Sequence, residues 1–151
     1  AASDVYKRQQ LEPFLQKLDI DINDHKNVNL LIDSMRTSDN TFSGIARSLV
    51  PYYKDIKEYD AKALEKFVAD KNLLEELKDL LSEVEDWNQD NINDVLKDFQ
   101  IKKELSVPAV NQPIRISLTG STKSPGLGLT LCLFGKEKSI DRISNLLNFL
   151  S

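Results

Sequence analysis

The chain has 151 residues, 40 % apolar and 29 % charged, with a formal net charge of −4. That length suffices for one ordinary domain or two small ones, each able to bury a core, and the composition excludes a disordered or membrane-embedded class. No apolar run approaches the roughly 18 residues that span a bilayer and no secretory signal opens the chain; with one cysteine, Cys132, and one histidine, His25, there is no internal disulfide and no metal-site inventory, so a cytoplasmic protein without a membrane partner is expected.

In chain order, residues 1–10 lack an apolar period and read as a disordered or foreign flank. Residues 11–18 open a short helix with Pro13 in its first turn, where a missing N–H is tolerated. Residues 19–24 alternate acids with isoleucines and are turn-like. Val28, Leu31, Ile32 and Met35 then follow the i, i+3, i+4, i+7 spacing of one helical stripe. Residues 37–40 stop that helix, and Asn40 or Thr41 can cap the next, which carries Phe42, Ile45, Ala46 and Leu49 and closes at Pro51. Residues 11–51 are expected to form a first helical subdomain and residues 52–151 a second.

The second group begins at Asp60, a good N-cap, and continues through residues 72–85, where Leu73, Leu74, Leu77, Leu80, Leu81 and Val84 repeat with a 3.6-residue period. The opposite face, with Glu75, Glu76, Lys78, Asp79 and Glu83, reads as solvated. Trp87 precedes a candidate cap, Asn88, and lies five residues before Ile92, the spacing of a hydrophobic staple, which favours a structural role. A helix runs from about Gln89 through Ile92, Val95, Leu96 and Phe99 to Leu105. Pro108 makes residues 107–110 a linker, since the residue before proline is driven to extended backbone.

Residues 112–136 place two apolar limbs around a Gly-Ser-Thr-Lys-Ser-Pro-Gly loop, with Arg115 on one limb and Lys123 at the loop tip. Residues 114–118 and 127–133 alternate apolar and polar side chains, so a β-hairpin also fits the pattern. Pro113 and Ser124-Pro125 as helix starts, with Gly120 and Gly135 as stops, fit two helices instead. Residues 139–150 carry Ile140, Ile143, Leu146, Leu147 and Leu150 on one face, a docking helix.

Charge is unevenly distributed. Residues 101–151 hold seven Lys/Arg against three acids, whereas residues 1–100 hold 13 against 21. A polyanion responds to the field within a Debye length of about 8–10 Å, so an acceptor for phosphate belongs in the last third. On a helix Arg115 and Thr119 share a face turned from Ile114 and Leu118. The Arg115 guanidinium can bind a base edge or phosphate with two parallel bonds. Ser124, as a helix start, would offer free backbone N–H groups, and Pro125 and Leu127 would offer rigid apolar contact to an unstacked base. Proteins read RNA sequence chiefly in single-stranded loops.

The ordered blocks Gln112-Pro113-Ile114-Arg115, Leu118-Thr119-Gly120-Ser121, Ser124-Pro125-Gly126-Leu127, Leu133-Phe134-Gly135-Lys136-Glu137 and Ile140-Asp141-Arg142-Ile143 resemble the C-terminal signature of bacterial-type glutamyl-tRNA synthetases. Pro51-Tyr52-Tyr53 and the segment from Trp87 to Ile92 fall where that family has an aromatic cluster and a Trp-led helix start, so the likeness covers roughly residues 11–150. The resemblance implies an all-α anticodon-binding domain of two helical subdomains, with Arg115, Ser124, Pro125 and Leu127 at the anticodon, at a preserved Arg-to-Ser spacing. Thr119 and Lys123 would adjoin them, with Lys136 as a further phosphate contact. The family has an Arg three residues before a Thr-Leu pair, where the glutamate and glutamine anticodons are told apart. Counting back from Thr41-Phe42 gives Ser38, and Arg36 takes that role only with a two-residue insertion, which leaves open a parent that charges both tRNAs.

The implied partner is therefore tRNA-Glu, or also tRNA-Gln, bound by a monomer. The implied parent ligates glutamate to tRNA with ATP and Mg²⁺ in a catalytic half whose HIGH-like and KMSKS-like motifs do not occur in these residues. No catalytic set can be assembled here and no cofactor is expected. The alternative is a helical protein-interaction module without RNA binding, supported by the acidic first two thirds.

Overall fold

Short polar side chains set most of the helix starts, because a side-chain oxygen can accept the first backbone N–H groups that a helix leaves unbonded. Thr41 Oγ1 accepts from Gly44 at 3.0 Å, Asp60 from Lys62 and Ala63 at 3.0 and 3.2 Å, and Asp70 from Asn72 and Leu73 at 3.0 and 3.3 Å. Asn88 accepts from Asn91 at 2.9 Å and Ser106 from Ala109 at 3.2 Å.

The computed structural model describes residues 2–21, 28–35 and 41–151. Among these the chain is all-α, with helices α1 (Ala2–Lys17), α2 (Val28–Met35), α3 (Phe42–Tyr53), α4 (Ala61–Phe67), α5 (Lys71–Ser82), α6 (Gln89–Lys102), α7 (Val107–Thr119), α8 (Leu127–Phe134) and α9 (Lys136–Phe149). It divides into two units, Ala1–Asp55 and Ile56–Ser151. His25, Arg36, Ser38 and the cap candidate Asn40 lie outside the described residues.

In the first unit α3 packs against α1 and α2. Leu11, Leu15, Leu31, Ile32, Met35, Ala46 and Leu49 form the core, each at most 3 % exposed. α1 starts at Ala2, so the flank expected before residue 11 is continuous with the helix and Pro13 lies inside it rather than in its first turn. Lys7 of that extension pairs with Asp33 of α2 at 2.9 Å.

The second unit is built around α7, which packs on α4, α5, α6 and α9, while α8 lies on α6 and α9. A helix so surrounded buries nearly its whole circumference: Val110, Pro113, Ile114, Ile116, Ser117 and Leu118 are all buried. This is why the alternating pattern of residues 114–118 fits a strand locally yet forms a helix. Val107 and Pro108, expected in a linker, form its first turn instead, since Ser106 caps it and proline near a helix start loses no bond. The expected end of α6 at Leu105 also moves, to Lys102, because Glu104 turns left-handed at φ 55°.

Gly120 ends α7 in the left-handed region at φ 81°. Its carbonyl accepts from the Asp60 N–H at 2.8 Å, tying the start of α4 to the end of α7. A Cβ there would stand 2.8 Å from Glu58 O and 3.2 Å from Ile56 Cγ2. Gly120→Ala is therefore expected to lower stability by about 1–3 kcal/mol in urea unfolding, from the left-handed strain and the contact together. Gly126→Ala, whose Cβ would meet nothing within 4 Å, is expected to stay within about 0.5 kcal/mol of wild type.

Candidate functional site

The Gly120 turn opens a loop that folds back on the helix it leaves. Thr119 Oγ1 lies 3.0 Å from both Arg115 O and Ser121 O and accepts from Ser121 N at 3.3 Å, so one hydroxyl brackets the turn. Ser121 Oγ then accepts from Lys123 N at 3.3 Å. At the far end Thr130 Oγ1 of α8 lies 3.3 Å from Pro125 O and 3.1 Å from Gly126 O. Backbone that would otherwise be solvated is thus fixed by short hydroxyl side chains.

The loop returns Ser124 to α7, where Arg115 Nε donates to Ser124 Oγ at 3.0 Å and that hydroxyl donates to Pro125 O at 3.0 Å. Ser124 is therefore not a helix cap: α8 starts at Leu127 behind Gly126, with no side-chain cap. Its oxygen instead holds a guanidinium. One of the five N–H donors of Arg115 is engaged, and the other four have no protein acceptor among the described residues. Arg115 is half-buried, and desolvation lowers its pKa from the usual arginine value. Arginine stays protonated in proteins, so the site keeps an oriented, partly desolvated fork whose terminal nitrogens take no protein acceptor among the described residues.

The structure sorts the remaining candidates. Lys123 is exposed at the tip and Thr119 is half-buried beneath it. Pro125 and Leu127 are buried, so they shape the loop and present no free apolar face. Lys136 donates to Val84 O at 2.7 Å, so its ammonium is already engaged just past the end of α5. Cys132 is half-buried, and desolvation raises its thiol pKa, which keeps it protonated.

Two residues in this network are non-local. Trp87 Nε1 donates to Leu131 O at 3.0 Å, a structural role that holds α8 in place. Arg142, 4 % exposed, donates through Nη1 to Leu118 O at 2.9 Å. Its place on α9 carries a sequence signal that is easily overlooked, since it falls within the stripe of Ile143 and Leu146 where an apolar residue would be usual.

The family described as Anticodon binding domain matches residues 7–147. A glutamate–tRNA ligase of Myxococcus xanthus (strain DK1622) is 31 % identical over 138 residues, covering 89 % of this chain and 29 % of that protein. A crystal structure of a glutamate tRNA ligase from Elizabethkingia meningosepticum CCUG26117, in complex with its amino acid, superimposes with a TM-score of 0.81 at 21 % identity, over 99 % of this chain and 30 % of the other. Glutamate-tRNA synthetase from Elizabethkingia anophelis gives 0.78 at 20 %, over 97 % and 28 %. The chain spans less than a third of the length of these relatives.

The two candidate lysines should separate in thermal melts. Lys136→Met, which leaves Val84 O without its donor, is expected to cost about 1–2 kcal/mol. Lys123→Met, at the exposed tip, should remain within about 0.5 kcal/mol of wild type.

Proposed function

The chain belongs to the anticodon binding domain family, and from that premise we propose that its second unit reads the anticodon loop of tRNA-Glu, or also tRNA-Gln, for a glutamate–tRNA ligase. The observation that carries the reading is the Arg115 fork. Ser124 fixes its orientation through Nε, and its four terminal N–H donors have no partner in the unit. A planar donor pair held in this way suits the carbonyl and ring-nitrogen acceptors of an unstacked base, or a phosphate beside it. Partial burial strengthens such bonds relative to water.

Around the fork, Lys123 supplies positive charge toward the backbone of the loop RNA. Thr119, Pro125 and Leu127 hold the shape of the protein loop, and Lys136 supports it from the α8–α9 corner. Arg36 is the candidate contact of the first unit. The longer protein would ligate glutamate to the bound tRNA with ATP and Mg²⁺, using catalytic residues outside this chain. The domain would act in the cytoplasm as a monomer.

Fluorescence anisotropy with the anticodon stem-loop of tRNA-Glu tests the reading. Binding should weaken as salt rises, with a log–log slope of about −0.7 for each phosphate contacted. Arg115→Ala should weaken it by about 10- to 100-fold with unchanged helix content by circular dichroism, the loss of one paired base contact being worth about 1–3 kcal/mol. Equal affinity for a scrambled loop would leave only a generic basic surface. No binding to either loop at low salt would favour the protein-interaction module instead.

A further inference from the structure

Resting on that reading, we propose that Arg142 is a positioning residue of the interface: it sets the place of the last turn of α7, and thereby the aim of the Arg115 fork, without touching RNA itself. The inference starts from a gap in the α7 backbone ladder. Pro113 lies inside the helix and has no N–H, so the carbonyl one turn earlier loses its helical donor there. α7 nevertheless runs on through Pro113 as one helix; what its last turn lacks is donors for its final carbonyls, which have to come from outside the helix.

The structure gives it two. Asp60 N donates to Gly120 O at 2.8 Å, and Arg142 Nη1 donates to Leu118 O at 2.9 Å. Leu118 O is one of the last four carbonyls of α7, which have no intrahelical donor, and a cation at a helix C-terminus is favoured by the helix dipole. The same guanidinium lies with Cζ 5.3 Å from the ring centroid of Phe134, the last residue of α8. One buried planar group from α9 therefore touches both helices that the loop of residues 120–126 joins. Leu118 is one turn from Arg115, whose own carbonyl is bracketed by Thr119. A shift of Leu118 O would carry Thr119, the Gly120 turn and the returning Ser124 with it. An apolar side chain of similar size could fill the space, yet it would leave that carbonyl without a donor and the turn without its aim.

The test uses the full chain and two readouts at a temperature where circular dichroism shows wild-type helix content. One is the solvent exchange of the Arg115 Nε–H, followed by nitrogen-15 NMR, which reports the bond to Ser124 directly. The other is the ratio of affinities for the anticodon loop and its single-base variants. Arg142→Met is expected to speed the exchange by about tenfold and to reduce the ratio by about tenfold, with the salt slope unchanged. Arg142→Lys, which keeps a donor able to reach a carbonyl, should restore most of both. A folded Arg142→Met that keeps wild-type exchange and ratio would overturn the positioning role. Should that variant not fold, Phe134→Leu decides: it removes the ring under the guanidinium, and is expected to raise the exchange by about threefold, an unchanged rate overturning the inference. Should the wild type itself fail to distinguish the loops, the anticodon reading falls, while the exchange arm still judges Arg142.

Discussion

The left-handed turn at Gly120 is the constraint on which the second unit depends. Because no Cβ occupies the space, Glu58 O can approach, and the backbone of Asp60 can bond to Gly120 O while its side chain caps α4. A single residue thus ends α7, fixes the start of α4 and launches the loop toward Ser124. Few other residues could do all three, since a side chain would meet both the dihedral strain and the neighbouring carbonyl.

From that turn the site follows by short steps. Thr119 brackets the turn, the loop returns, and Ser124 takes one nitrogen of Arg115. The guanidinium is therefore held in place by the protein alone, and a ligand that met it would cost it less side-chain entropy. Partial burial makes each bond it forms stronger than in water. The arrangement derives its directionality from hydroxyl groups and backbone, and its charge from one arginine and an exposed lysine.

Charge counting alone overstates the positive surface. Of the seven cations in the last third, Lys103 pairs with Glu76 at 3.0 Å, Lys136 is engaged at Val84 O, and Arg142 is buried against Leu118 O. Of the other four, Arg115 and Lys123 belong to the end of α7 and the loop it launches, while Lys102 ends α6 and Lys138 lies on α9. A chain with a net charge of −4 can thereby offer a polyanion a favourable local field, because screening confines the interaction to about 8–10 Å.

The sequence by itself left residues 114–118 and 127–133 open between strand and helix, but it determined the caps at Asp60 and Asn88, the stops at Gly120 and Gly135, and a cap for α3 at Asn40 or Thr41. Each of these is a bond or a dihedral preference between residues only a few positions apart, so local chemistry fixes it. The same locality misled where a distant partner existed. Ser124 looked like a cap, but the Arg115 nitrogen nine residues away takes its oxygen. Val107 and Pro108 also looked like a linker, although the cap at Ser106 that starts α7 there is itself local. Only tertiary structure decided that Lys136 meets Val84, 52 residues away, and that Arg142 meets Leu118, 24 residues away. The packing of α9 onto α7 and of α5 beside the α8–α9 corner brings those groups within bonding distance, and no periodicity along the chain encodes that distance.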